Sequence, residues 1–247
     1  MWALADSTAD PRRSIHYVAG VETKLRQVDI DVEVYYKDYD GLYELNYDEQ
    51  ESVKIGDILR RGDGRAYGFD LLVRKRSGRQ TGWIALNTGL TERTIDGLNF
   101  DTANRPQSFR SKFDRRLTLH IIHAWRFSER WTLNSRFTRA SGQPYTQVFG
   151  TGEIELPSGL SWGFQEKGEL NGVRLPHYQR LDASIARRSD FGAWDMKAYL
   201  QIVNARNHEN VFNYYWTDGS AHKRKPGKRK ALSMLPLLPS IGIDFSF

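Results

Sequence analysis

The chain of 247 residues contains no cysteine, so a disulfide framework, a thiolate metal site and a cysteine nucleophile are all excluded. That absence suits a reducing cytosol and an oxidising periplasm or outer membrane alike. No run of eighteen apolar residues occurs, which excludes a transmembrane helix on length. The opening segment MWALADSTADPRRS lacks both a basic start and an apolar stretch, so export would depend on sequence not contained in it. Catalytic signatures are scarce: there is no Walker loop and no H-E-x-x-H, and no enzymatic role is expected. His120 and His123, three apart on an expected strand, point to opposite faces and do not chelate one metal together. No cofactor is expected either.

What the chain has is alternation. The mean hydropathy is −0.61, yet strands of about ten residues that alternate in polarity can cross a bilayer while the whole chain reads as hydrophilic. Residues 15–25 (IHYVAGVETKL) and 28–37 (VDIDVEVYYK) alternate and are joined by Arg26 and Gln27 alone, a tight hairpin. With Leu25 against Val28, Thr23 faces Ile30, Val21 faces Val32, Ala19 faces Val34 and Tyr17 faces Tyr36, giving one apolar face. The other face sets Lys24 against Asp29 and Glu22 beside Asp31. The form recurs at 65–75 with 81–90, at 115–127 with 131–140 and at 178–188 with 194–204. In the last hairpin Leu181, Ala183 and Ile185 are expected to pair with Ile202, Leu200 and Ala198, and Arg188 to meet Asp195. A final strand spans Ser240 to Phe247, giving about nine strands in all.

Between the hairpins, residues 38–64, 91–114, 141–177 and 205–237 are expected as long loops rich in Gly, Asn, Asp, Pro and aromatic residues. Loops of that length are uncommon in compact soluble domains, whereas tight turns at one end and long loops at the other are the habit of an outer-membrane barrel. Trp125, Trp131 and Trp194 fall at the short-turn ends, and Tyr36, Tyr39 and Tyr43 fall toward the long loops. Two aromatic girdles at headgroup level would result. A soluble β-sandwich with ordinary core aromatics is the competing fold.

Several segments, in order, resemble the C-terminal barrel region of TonB-dependent receptors. They are PRRSIHYVAGVE (11–22), VEVYYKDYDGL (32–42), GRAYGFDLLVRKRSGRQTGWIALN (64–87) and FDRRLTLHIIHAWRFSERWTLNSRFTRASGQPYT (113–146). RLPHYQRLDASI (174–185), LQIVNARNHENV (200–211) and PSIGIDFSF (239–247) complete the series. The resemblance implies that residues 1–247 are the C-terminal portion of an antiparallel transmembrane β-barrel of about twenty-two strands, lacking the plug domain and TonB box.

The further implications concern surfaces. Val21, Val32, Val34, Leu181, Ile185, Leu200, Ile202, Ile241, Ile243 and Phe245 are expected to face lipid, with Tyr36, Trp125, Trp131 and Trp194 at the membrane interfaces. Phe247 resembles the C-terminal signal read by the barrel-assembly machinery. Glu22, Asp31, Glu33, Asp70, Asp182 and Asp195 interleave with Lys24, Arg74, Arg136, Arg188 and Lys197 as a charged lumen wall. The run HKRKPGKRK (222–230) falls in the last long loop, where Lys223, Arg224, Lys225, Lys228, Arg229 and Lys230 would meet lipopolysaccharide phosphates rather than nucleic acid. The implied location is the outer membrane of a Gram-negative bacterium and the implied role TonB-dependent uptake of a scarce large nutrient such as a siderophore, cobalamin or glycan. TonB itself would be reached only through the plug region. The rival is a soluble basic β-protein that binds nucleic acid through residues 222–230.

Overall fold

The computed structural model describes residues 11–45, 59–100, 103–155, 161–217 and 228–247. The strands are β1 (Arg13–Leu25), β2 (Val28–Leu45), β3 (Leu59–Lys75), β4 (Gln80–Ile95), β5 (Phe109–Arg110), β6 (Leu117–Arg126), β7 (Trp131–Ala140) and β8 (Pro144–Tyr145). They continue with β9 (Val148–Glu155), β10 (Ser161–Lys167), β11 (Val173–Arg174), β12 (Tyr178–Asp190), β13 (Asp195–Val203), β14 (Val211–Thr217), β15 (Lys228–Ser233) and β16 (Leu238–Ser246). Nine of them form one antiparallel sheet in the order β1-β2-β3-β4-β6-β7-β12-β13-β16, with the short β5 added to β4. The chain meanders without a crossover, so every connection joins neighbours, and the described sheet ends in β1 on one side and β16 on the other.

The first hairpin has the register its sequence dictates, with Leu25 opposite Val28, Val21 opposite Val32 and Tyr17 opposite Tyr36. Followed from strand to strand, the register carries one face across the sheet. Val21 pairs with Val32, Val32 with Leu71, Leu71 with Leu86 and Leu86 with Leu119. Ile121 pairs with Phe137, Phe137 with Leu181, Ile185 with Leu200 and Leu200 with Ile241. No second layer covers this face among the described residues: Val21 is 70% exposed, Leu200 43% and Ile241 82%. A sandwich would have buried these positions.

Three expectations are corrected. The strands β2, β3 and β4 run well past the apolar pattern, so 38–45, 59–64 and 91–95 are strand, not loop. A bulge between Tyr39 and Leu42, where Gly41 takes a left-handed φ of 71°, lets the ladder continue after the alternation changes character. The β12–β13 hairpin sits two residues from the expected register: Ala183 faces Ile202, Ile185 faces Leu200 and Arg187 faces Ala198. Asp190 closes on Asp195, and Phe191 N–H bonds the Trp194 carbonyl (3.0 Å) around Gly192 at φ 81°. A slip of two preserves the faces, and the Arg188 and Asp195 side chains still form an ion pair along the diagonal. Finally, the two longest connections are not irregular throughout. The 141–177 segment carries the β9–β10 hairpin and the β8–β11 pair, and the 205–237 segment carries β14–β15.

Candidate membrane wall and loop rim

The apolar face has two edges. On the long-loop side, Tyr17, Tyr36 and Tyr67 stand in one row, since Tyr17 pairs with Tyr36 and Tyr36 with Tyr67. One step further out on the same face the residues change kind. Tyr36 is followed by Asp38, Tyr67 by Arg65 and Asp63, and Leu90 by Glu92 and Thr94, with Arg65 and Glu92 joined at 3.0 Å. On the short-turn side an aromatic band closes the face. Trp125 and Phe127 have ring centroids 5.6 Å apart, Phe127 stacks toward Trp131 at 6.4 Å, and Phe191, Trp194 and Phe245 form a second group at 4.1 and 5.7 Å. From Val28 to Tyr36 the strand rises about 26 Å, or roughly 20 Å perpendicular to a membrane at a barrel strand's tilt.

All ten residues expected to face lipid lie on this one face: Val21, Val32, Val34, Leu181, Ile185, Leu200, Ile202, Ile241, Ile243 and Phe245. Trp125, Trp131 and Trp194 gather at the short-turn edge and Tyr36 at the opposite edge. Phe247 follows the last strand residue and is fully exposed. His120 and His123 fall on opposite faces; on the polar side His120 Nδ1 lies 3.1 Å from Thr138 Oγ1.

The opposite face is charged and carries several pairs. Asp29 receives Arg76 at 2.8 Å and Arg74 at 3.7 Å, and Lys197 approaches Asp244 at 3.6 Å. Asp70 bonds Asn87. Tyr35 lies across two neighbouring strands at glycines: a Cβ on Gly68 would come within 2.5 Å of its hydroxyl and one on Gly89 within 2.8 Å. Tyr199 covers Gly242 in the same way. Each ring fills the groove a missing side chain leaves, a cross-strand packing that suits a curved sheet.

Burial, scarce elsewhere, concentrates at the bases of the long loops. Ile95 and Asn204 have no exposed surface, and Asp114, Ser111 and Asn210 are at 2 to 3%. Asp114 accepts from the Thr91 N–H at 2.7 Å and pairs with Arg174, whose guanidinium also donates to the carbonyls of Asp114 (3.0 Å) and Gly142 (2.9 Å). Gly142 admits no side chain, because a Cβ would run into the Leu175 carbonyl. Arg115 donates to the Ser141 carbonyl at 3.3 Å, and burial pushes its pKa below the ordinary guanidinium value. It stays charged nonetheless.

Asn204, Asn207 and Asn210, spaced three apart within LQIVNARNHENV, do parallel work. Asn204 accepts from His208 N–H (3.1 Å) and donates to the carbonyls of His208 (3.0 Å) and Leu235 (3.2 Å), while Asn207 accepts from Leu237 N–H (3.0 Å). Asn210 exchanges two bonds with the backbone of Gln179, at 2.8 and 2.9 Å. Asn204 and Asn207 hold left-handed φ values of 52° and 47°, a region asparagine tolerates better than most residues. The segments 141–146, 174–176 and 204–210 carry family resemblance in the sequence, but no local pattern encodes their joint role in tying loop to loop. Each partner lies 30 or more residues away in most of these bonds.

Of the basic run, Lys223, Arg224 and Lys225 lie outside the described residues; Lys228, Arg229 and Lys230 are on β15. The expectation that no G-x-S-x-G elbow occurs needs correcting at the level of the string, since Gly159-Leu160-Ser161-Trp162-Gly163 satisfies G-x-S-x-G. Residues 159 and 160 lie outside the described part, and Ser161 to Gly163 open β10 in a hairpin, not the strand-to-helix elbow that a nucleophile requires. Among the described residues no group of three or more His, Asp or Glu is placed to hold a metal ion.

No family model matches the chain, and no curated protein matches it. Solved structures do. A chain in the FpvAI–pyocin S2 complex aligns with a TM-score of 0.58 at 9% identity, over 97% of this chain and 29% of that one. The ferripyoverdine receptor of the outer membrane of Pseudomonas aeruginosa, bound to ferripyoverdine, aligns with a TM-score of 0.55 at 9% identity, over 96% of this chain and 27% of that one. At that identity the likeness is one of fold: the meander is built as a stretch of an outer-membrane receptor is built, over somewhat more than a quarter of such a receptor's length.

Proposed function

We propose that the chain forms part of the wall of an outer-membrane receptor that imports a scarce large nutrient, captured by the long loops and admitted past the charged face. The observation that carries this reading is the uncovered apolar face, bounded by a tyrosine row and a tryptophan–phenylalanine band. A contiguous apolar surface spanning nine strands is far larger than the few hundred Å² a soluble monomer tolerates. Lipid is the solvent that suits it. Siderophore, cobalamin and glycan remain the ligand classes of interest, and a ferric siderophore is the first to try because one structural relative is a ferripyoverdine receptor. Coupling to TonB would run through a plug, for which residues 1–247 supply no sequence. The nucleic-acid reading leaves the apolar face unexplained.

Because the chain has no cysteine, single introduced thiols report its orientation in intact cells of the native host. Ser108→Cys, on the long-loop side, is expected to react with an impermeant maleimide. Ser77→Cys, in a tight turn, is expected to react only after the outer membrane is permeabilised. Equal labelling of both, or a chain that stays soluble and monomeric without detergent, would sink the reading.

A further inference from the structure

The tight turns of the wall differ in charge. The connections 26–27, 76–79 and 127–130 carry Arg26, Arg76, Arg79 and Arg130 against a single carboxylate, Glu129. Arg126 closes β6, and its N–H bonds the Arg79 carbonyl at 2.8 Å, which sets these two arginines opposite each other on neighbouring strands. The Arg126 guanidinium also donates to the Gly78 carbonyl at 3.1 Å, so it is held beside the second turn. Arg130 is fixed in the same manner against the fourth hairpin, its carbonyl taking the Arg188 N–H at 2.8 Å. Alternation along β6 puts Arg126 on the face of His120, and Arg188 shares that face with Asp195, so Arg79, Arg126 and Arg130 all belong to the polar side of the sheet.

Where this face completes itself, it does so with carboxylates. Asp29 receives Arg76 and Arg74, and in the fourth hairpin Asp195 receives Arg188 while Asp190 bonds the Gly192 N–H at 2.8 Å. Arg26, Arg79, Arg126 and Arg130 are exposed, and among the described residues none of them has an ion-pair partner. Arg26 moreover holds a left-handed φ of 58° in a two-residue hairpin, a position where Gly, Asn or Asp costs the backbone least. A guanidinium stands there instead.

From this the geometry points to a docking surface, at the turn-side mouth of the wall, for an extended acidic peptide segment. The planar guanidinium fork matches a carboxylate bidentately, and the surface lacks only the carboxylates that its filled neighbours have. Membrane phosphates lie on the other side of the sheet from Arg79, Arg126 and Arg130. Apart from Phe127, which belongs to the aromatic band, the three connections carry no apolar side chain, whereas a folded partner would seek an apolar centre. Successive turns are two strands apart, about 10 Å, and an extended peptide covers that distance in about three residues. That the segment belongs to a periplasmic partner rests on the receptor reading above.

The test is binding of a fluorescein-labelled oligoglutamate peptide to the full chain in a nonionic detergent, read by anisotropy at several salt concentrations. Saturable binding that weakens with salt is expected, with a loss of about fivefold or more in R79Q/R126Q. R26Q/R130Q, which leaves the Arg126–Gly78 bond in place, is expected to lose binding too. K228Q/K230Q removes two cations from a long loop instead and is expected to bind as the wild type does. An equal loss in K228Q/K230Q would make net charge, not place, the cause and would overturn the docking surface. Unchanged binding in both arginine pairs would overturn it, as would tighter binding of polyphosphate or of phosphatidylglycerol micelles than of the peptide. Labelling of Ser77→Cys in intact cells would overturn the periplasmic address together with the receptor reading, whereas indifference to the arginines fails the docking surface alone.

Discussion

Leu200 and Gln201 are adjacent and see opposite surroundings. Leu200 is paired with Ile185 and Ile241 on the uncovered face; Gln201 is paired with Ser184 and Ser240 on the polar one. A cation at the midplane of a bilayer costs about 2 to 4 kcal/mol, while a lumen position accepts one. Leu200→Arg and Ile202→Arg are therefore expected to cut the fraction inserted in the outer membrane, measured by fractionation of expressing cells, far more than Gln201→Arg. Comparable insertion of all three would mean that the face assignment is wrong, and the reverse order would mean a one-residue slip. At this scale the sequence was informative because side-chain direction in a strand has period two and needs no tertiary knowledge. It was uninformative for Asp114 and Arg174, sixty residues apart, whose pairing no local pattern encodes.

Among elements, the strands with apolar alternation were legible and their continuations were not. Once β2, β3 and β4 pass the tyrosine row the apolar face takes on Asp38, Arg65, Asp63 and Glu92, so the alternation breaks although the backbone ladder does not. The register of β12 with β13 differs by two from the pairing expected of the sequence, because Gly192 and the Phe191–Trp194 bond fix Asp190 against Asp195 as the closing pair. The long loops are held to the wall by side chains acting as backbone substitutes, and Asn210 is the most exposed to test. It satisfies both the N–H and the carbonyl of Gln179, and its loss leaves two buried groups without partners. Asn210→Ala is expected to cost on the order of 1 to 3 kcal/mol locally and to raise the rate of limited proteolysis within 205–237, with the strands themselves protected. Asn210→Asp, which keeps the acceptor and loses the donor, should fall between. Unchanged cleavage in Asn210→Ala would show that the loop is held by other means.

At the scale of the whole molecule the decisive fact is that, among the described residues, β1 and β16 each have one partner strand. Backbone N–H and C=O groups left unpaired in hydrocarbon cost several kcal/mol each, so an open sheet does not persist in a bilayer. Nine strands could close on themselves only by bringing Arg74, Arg136, Arg180, Arg188 and Lys197 into a narrow lumen. Residues 1–247 refolded alone into lipid are accordingly expected to give no heat-modifiable monomer on a gel and no steady conductance. A monomeric, heat-modifiable species with an open pore would overturn this.

The ring of buried contacts at the loop bases has a consequence for how such a wall can change. Asp114 with Arg174, and Asn204, Asn207 and Asn210 with their backbone partners, act as a hem: they fasten the 91–114, 141–177 and 205–237 segments at the foot, while the β8–β11, β9–β10 and β14–β15 pairs order the chain beyond it. A loop stitched this way is a replaceable head on a fixed shaft. On the receptor reading proposed above, insertions and deletions above the hem would alter what is captured without disturbing the wall strands, so new binding specificity would be acquired without rebuilding the wall. A single loss within the hem instead loosens a loop at its foot.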